Sequence, residues 1–517
     1  MADQKASTPT VKKFAGIEVP PELSKANFFF MFFSTFIIGI LMTAPSVLQP
    51  PFMLEIIRIN PDFEGSINSF LQMMSQVATL LFIGYVGIMS DKTGRKILAV
   101  IGFTFLVLAI YLLKISTTIA DALNISPETA ASICSWLSLM PESAPQWVPF
   151  APGLLVSYIM RFLVGVGFIF VYPQFITMVG DYTYDKDRGK GMALNGMMMG
   201  IAAILVFGIF GAIMKQRGVP AGFTTAMLFA ALGAVMTAIF VKDRMPEKPK
   251  EKQGIKDVIP VLKKSTALKT AYVCSLITRA DIVVLATYLL TWGTSYGIST
   301  GLTKGAAMFK ATFPMMVMGV VTFLVFPVIA VMLDKWGRMQ TIIVTVLCAS
   351  LGMLVMGAAP NPYSSICYIA AVLAGVGMAG SIAGANTLAL DVAPITQMGA
   401  VMAGMNTMQP IGVLFFLILG GYLFDIVSPQ SAFILKGVAN LLLFIGLLAV
   451  RSAISKEITP AFTMDWEPAA KLQMMKIPGS VRQGAIEGAE AYAKDQNVTK
   501  ITAEFCQNLR KMMESGS

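Results

Sequence analysis

Two stretches decide the fold: Gly87-Ile-Met-Ser-Asp91-Lys-Thr-Gly94-Arg95-Lys96 and Ala330-Val-Met-Leu-Asp334-Lys-Trp-Gly337-Arg338-Met339. Each has an aspartate, a glycine three residues on and an arginine next to it, and the two stand 243 residues apart. A second pair follows in the same order. Tyr158-Ile-Met-Arg161-Phe-Leu-Val-Gly165-Val-Gly167 is matched by Tyr368-Ile-Ala-Ala371-Val-Leu-Ala-Gly375-Val-Gly377, and the offset here is 210. The same offset of 210 takes Asp181 to Asp391 and Gly189 to Gly399. Two matches in conserved order make an internal repeat. The 33-residue difference between the offsets measures an insertion in the first half, at about 116–150.

The composition says what solvent surrounds this repeat. The chain has 517 residues, of which 56% are hydrophobic and 13% charged. A soluble protein carries about 25% charged residues, so this chain cannot cover a soluble surface. That excludes a soluble enzyme, a nucleic-acid module and a disordered chain. Continuous apolar runs also exclude a β-barrel, which would alternate. With about 20 apolar residues needed per crossing, the sequence predicts twelve helical spans at 27–49, 70–89, 95–115, 152–176, 191–214, 221–241, 269–293, 312–333, 340–359, 365–389, 399–424 and 430–451. The expected class is therefore all-α integral membrane, with two pseudo-symmetric six-helix bundles at 27–241 and 269–451. Residues 1–26 form a polar N-terminal segment, 242–268 a linker and 452–517 a polar tail with helical spacing over 481–514. The first apolar run is too long for a signal-peptide core and is expected to stay as an anchor.

Basic residues orient the chain. With the N-terminus in the cytoplasm, 30 Lys and Arg fall on cytoplasmic segments and 6 on outer ones, while Arg161, Arg279 and Lys436 lie inside spans. This bias predicts both termini inside a plasma membrane, the bacterial inner membrane in a prokaryote. The insertion at 116–150 then forms an extracytoplasmic cap. The net charge of +10 reads as the positive-inside signal and contact with anionic lipid rather than nucleic-acid binding. Five cysteines in no pairing pattern and the absence of histidine predict no disulfide framework, no metal site and no cofactor. Thirty-six methionines, some at helical spacing, fit packing better than soft-metal transport.

Two related six-helix halves are the design of a transporter that rocks about a central site. The stretch Gly87–Lys96, after span 2, resembles motif A of the major facilitator superfamily, with Met89 and Lys92 as departures, and the resemblance covers about 27–451. Arg161, Gly165 and Gly167 in span 4 resemble that superfamily's motif B, with Val164 where a polar residue is common. The resemblance implies alternating access, no enzymatic activity and a monomer in lipid. It also implies a cytoplasmic gate made of Gly87, Asp91, Gly94, Arg95 and Asp181, repeated as Asp334, Gly337, Arg338 and Asp391. In that gate Asp91 caps span 11, Arg95 pairs with Asp181 and Arg338 pairs with Asp391. A solvated cationic loop is the plainer reading of the same residues.

Charges inside spans are costly and mark function or a partner. Arg161 is a candidate for substrate binding or a structural tie. Arg279 and Asp281 lie two positions apart, about 200° around a helix, so they cannot pair with each other. Asp281 is the natural proton carrier, or else the partner of an arginine elsewhere. Tyr288, Trp292, Asn386, Asn406 and Gln409 stand at cavity depth in spans 7, 10 and 11, while Gln72, Gln76, Tyr172, Gln174 and Asn195 are further polar candidates. Lys436 is expected to snorkel to the outer interface. The function expected is proton-coupled uptake or exchange of a small organic anion held by Arg161 and Arg279. Drug/proton antiport is the alternative, weakened because span 5 has no proline and span 1 no charge. A transport-dead receptor or scaffold is the third reading. The passage requires its charges to border water.

Overall fold

The computed structural model describes residues 12–184, 187–244, 255–393, 397–458, 462–475, 479–496 and 498–515. Most of the linker, 245–254, lies outside them, as do the side chains of Asp91 and Asp334. Among the described residues, twelve helices are long and apolar enough to cross a membrane. Spans 1–6 are Lys25–Ile57, Pro61–Ser90, Arg95–Lys114, Ala151–Tyr182, Lys190–Arg217 and Val219–Phe240. Spans 7–12 are Thr266–Ser299, Lys304–Leu333, Arg338–Gly357, Ser365–Val392, Ala400–Ile426 and Ser431–Ile458.

Local chemistry sets the ends of these helices. Ser24 and Asn27 form a capping box on span 1, with the Asn27 N–H donating to Ser24 Oγ at 3.2 Å and the Ser24 N–H to Asn27 Oδ1 at 2.8 Å. The Asn27 amide then donates to Phe240 O at 2.7 Å and ties span 1 to span 6. Gly94 and Gly337 break the chain between consecutive spans with φ of +94° and +93°, a conformation that costs most residues a Cβ clash. The repeat is also visible in packing. A Cβ on Gly165 would come 2.7 Å from Ser75 Cα, and one on Gly375 would come 2.8 Å from Met318 O. Each glycine lets its helix lie against the second helix of its own lobe.

Span 7 is discontinuous. It consists of Thr266–Thr278 and Asp281–Ser299, with a turn at Arg279 and Ala280. Its first N-terminus is capped by Ser265, and Glu457 of span 12 accepts from the N–H groups of Thr266 and Ala267 at 2.9 and 3.0 Å. Asp281 opens the second segment, where a negative charge suits the helix dipole.

Among the described residues, the closest approaches between the lobes lie toward one end. The described N- and C-terminal residues leave the bundle at the opposite end from the 116–150 segment, which holds the helices Ser116–Ala122 and Pro127–Leu137 and the buried Trp147 packed at a tilt on Phe63 and Phe150. At this cap end one apolar core runs through both lobes, whereas a separate core around Leu268, Ile342, Leu388 and Val401 fills the terminus end of the second lobe. A Cβ on Gly421 would sit 2.5 Å from Ser69 Oγ, and one on Gly305 would sit 2.7 Å from Lys215 Cα, both across the lobes. At the terminus end, Gly84 and Gly87 of span 2 and Gly196 and Gly200 of span 5 have nothing within 4 Å of such an atom. Among the described residues, the molecule is sealed at the cap end and parted at the terminus end.

The tail folds on itself. Asp465–Trp466 pairs in parallel with Lys500–Ile501, and the helices Gly479–Asp495 and Ala503–Ser515 close over Trp466, Ile486, Ala489 and Ile501. Glu490 holds it. Its carboxylate accepts from the Thr463 N–H at 2.7 Å, from Trp466 Nε1 at 2.8 Å and from the Met464 N–H at 3.2 Å. Burial alone would favour the protonated form, but these donors outweigh it and hold the Glu490 pKa below its ordinary value. Such a group contributes stability above its unfolded pKa and loses that contribution as pH falls through the folded one. Glu490→Ala is therefore expected to weaken the tail by about 2 kcal/mol. Limited proteolysis of the full chain should then cut beyond residue 461 first, and acidifying the wild-type protein below the lowered Glu490 pKa should produce the same cut.

Candidate functional site

The site is built on the break in span 7. Arg279, half-buried, reaches sideways to two other helices of its lobe. Its Nη1 donates to Asn406 Oδ1 at 2.8 Å and to Gln409 Oε1 at 3.2 Å, and its Nη2 donates to Asn386 Oδ1 at 2.7 Å. The structure thus brings together Arg279, Asn386, Asn406 and Gln409. Tyr172 of span 4, in the other lobe, lies within electrostatic reach of Arg279, which places the arginine toward the gap between the lobes.

The donor arithmetic of this cradle is one-sided. A guanidinium has five N–H donors and no acceptor. All three amides must therefore turn their oxygens to it, which leaves their three NH2 groups pointing away. No partner of those nitrogens is found among the described residues. Arg279 Nε is also buried with no partner. A positive charge rimmed by spare donors suits an anion.

Asp281 is placed differently. It is fully buried and pairs with Lys436 Nζ at 2.5 Å. Asn440 bridges them, accepting from Lys436 Nζ at 2.8 Å and donating to Asp281 Oδ1 at 3.0 Å. Lys436 Nζ also lies 4.5 Å from the centre of the Phe416 ring. The expectation that Lys436 snorkels to the interface is overturned. Its head is turned into the protein because a carboxylate waits there. The partner of Asp281 is this lysine and not an arginine.

Arg161 belongs to a third cluster, inside the first lobe. It is 3% exposed, donates from Nε to Gln49 Oε1 at 2.9 Å and from Nη2 to Gln72 Oε1 at 3.0 Å, and its Nη1 has no partner. A cavity of about 20 Å³ between Pro45, Gln49, Val164 and Phe168 borders it, room for about one water. Because the arginine only donates, it sets the direction of a chain. Gln49 Nε2 donates to Asn68 Oδ1 at 2.8 Å, and Asn68 Nδ2 donates to Thr291 Oγ1 at 2.6 Å in the other lobe. Arg161 therefore braces the sealed end. Tyr288 and Trp292 belong to the same region. Tyr288 donates to Leu417 O at 2.9 Å and contacts Ser69 Oγ at 2.8 Å, while Trp292 packs on Phe433. Neither joins the Arg279 cradle. Of the three expected intramembrane charges, Arg161 and Asp281 are buried and Arg279 is partly exposed.

Around the terminus end, Arg95 makes an ion pair with Asp181, and Arg338 Nε donates to Asp391 Oδ2 at 2.9 Å. Both pairs stay within their own lobe. Asp243, which the sequence did not single out, accepts from the N–H groups of Arg95 and Lys96 at 3.1 and 3.0 Å and caps span 3. Also unforeseen were Glu64, Asn68 and Asp425, which join the lobes at the cap end.

A family model described as Major Facilitator Superfamily matches residues 31–408 and 346–486. The chain is similar to the magnetosome protein MamH of Paramagnetospirillum magneticum, 27% identical over 410 residues, which cover 78% of this chain and 88% of MamH. It is also similar to the magnetosome protein MamZ of the same organism, 24% identical over 83% of this chain and spanning 64% of MamZ. Among solved structures, a POT family transporter in complex with 5-aminolevulinic acid aligns with TM-score 0.62 at 15% identity, over 86% of this chain and 98% of that one. A D-xylose–proton symporter aligns with TM-score 0.58 at 14% identity, over 81% and 97%.

Proposed function

This chain belongs to the major facilitator superfamily, and we propose that within it the protein is a secondary transporter moving a small organic anion by alternating access. The observation that carries this reading is the Arg279 cradle, where a guanidinium and three outward NH2 groups offer donors and no acceptor. A carboxylate or phosphate is the complement of such a rim, since charge-assisted hydrogen bonds are the strong ones. The parted terminus end supports a path to it from one side of the membrane. By the distribution of basic residues that side is the cytoplasm and the sealed cap end faces outward, and in this reading the membrane is the plasma membrane.

Protons are the coupling ion in this reading. Asp281 serves as their carrier only when Lys436 lets go of it, because the pair is closed to water in this conformation. The gate residues at the terminus end act when that end closes. Gly87 then supplies the surface on which span 11 settles, and the pairs Arg95–Asp181 and Arg338–Asp391 hold the loops in shape.

The test is a thermal-shift series on the purified protein. Small carboxylates and phosphates are expected to raise the unfolding midpoint of the wild type and to leave Arg279→Ala unmoved. Lipophilic cations that stabilise both proteins alike, with no response to anions, would reverse the assignment in favour of drug/proton antiport.

A further inference from the structure

We propose that Glu64 is a proton-binding site that sets, from the cap side, how firmly the two lobes are sealed. The proposal rests on the transporter reading above and deepens it by assigning a control point. Asp425, at the end of span 11, accepts from the N–H of Gly65 at 2.7 Å and from the N–H of Ser66 at 2.8 Å. It thereby caps the first turn of span 2 in the opposite lobe, satisfying two otherwise orphaned donors at the positive end of that helix. The approach is close: a Cβ on Gly65 would stand 2.5 Å from the Phe424 ring. Asp425 is the latch.

Glu64 stands beside it with a poorer match. It is 6% exposed and accepts from the Ser295 hydroxyl of span 7. Asp425 and Asp62 both bear on it as like charges. The other titratable groups facing this seam are Tyr288 of span 7, Tyr158 of span 4 and, behind Tyr158, Cys134 of the cap. Among the described residues, no Lys or Arg pairs with Glu64 or Asp425. A charge matched by a hydroxyl alone and repelled by two carboxylates resists being sealed in.

A second observation supports a route for the proton. The hydroxyls of Tyr158, Ser138 and Ser66 are buried, Tyr158 against Ser138 and Ser66 against Asp425, and none has a well-formed hydrogen bond. Tyr158 sits next to Ser138 of the cap and within electrostatic reach of Asp425. Buried hydroxyls without well-formed bonds are places for water, and these three lead from the cap to the seam. Hydronium on the cap side gives its proton to a Glu64 oxygen and becomes water. On reopening, the proton returns to water on the same side. The site therefore carries no proton across. It makes the sealed state more favourable as pH on the cap side falls, because the open state leaves Glu64 hydrated and charged.

The experiment needs no transported anion, so it stands or falls apart from the anion reading. Spin labels on cysteines at the exposed positions Ile133 and Ser299, with the native cysteines replaced, report the distance across the cap end in nanodiscs. In otherwise wild-type protein the ratio of short to long distances should rise at least about threefold from pH 8.5 to 5.5, within the tenfold per pH unit that one linked proton permits. Glu64→Gln should be sealed at both pH values, and Asp425→Asn should shift toward the long distance at both. A Glu64→Gln protein that keeps the full pH response overturns the proposal, as does an Asp425→Asn protein with an unchanged ratio. A pH response as proposed, combined with no anion effect on stability, would sink the anion reading alone.

Discussion

Arg279→Ala is expected to lower uptake of the transported anion into proteoliposomes by about a hundredfold, the equivalent of roughly 3 kcal/mol of lost charge-assisted hydrogen bonding. The loss has two parts. The charge goes, and so does the reason for the amides of Asn386, Asn406 and Gln409 to present their nitrogens to the gap. Without a donor behind them they are free to turn, and half of the rim becomes acceptor. Arg279→Lys separates the two parts. A lysine Nζ has three donors, enough for the three amide oxygens and none to spare. Charge and amide orientation then survive while the spare donors vanish, and uptake should fall about tenfold, mostly through KM. Equal loss in both variants would mean that planar bidentate contact carries the whole effect. Unchanged uptake in Arg279→Ala, at normal expression and folding, would remove the cradle from the transport path.

The distance between what the sequence told and what the structure added follows from what hydropathy measures. Repeat and spans were legible because apolar runs and recurring Asp-x-x-Gly-Arg loops leave a signal in one dimension. Polar residues at depth were legible as costs, and Asn386, Asn406 and Gln409 were found that way. Their convergence on Arg279 was not legible, because residues 107 to 130 positions away on two other helices meet it only in space. The break in span 7 was invisible for a different reason: Thr278-Arg-Ala-Asp281 contains no glycine or proline. It is marked instead by a carboxylate suited to open a helix. Glu64 and Asp425 were missed at the edges. Expected spans of 70–89 and 399–424 left both outside, whereas the helices run from Pro61 and to Ile426 and carry them into the seam between lobes. Gly65 and Gly421 beside them were the signal available, small residues where two helices must touch.

Lys436→Met is expected to be the most destabilising single substitution in the second lobe. The lysine is fully buried against Asp281, with Asn440 between them, and Asp281 Oδ2 already has no partner. Removing the cation leaves an uncompensated carboxylate in the protein interior, a change that costs about 3–5 kcal/mol in comparable buried pairs. Removing both charges should cost far less, since two apolar side chains of similar volume can replace a buried pair nearly neutrally. The thermal midpoint of Lys436→Met should therefore drop by several degrees, and Asp281→Leu added to it should restore most of the loss. That rescue isolates the charge pair from the packing change at position 436, which the two variants share. Transport reads the second role. If Asp281 carries a proton after parting from Lys436, the rescued double variant is stable and still moves anion down its own gradient, but no longer responds to a proton gradient. A double variant that accumulates anion against its gradient as the wild type does would leave the Asp281–Lys436 pair as scaffold only, holding the two halves of span 7 to span 12.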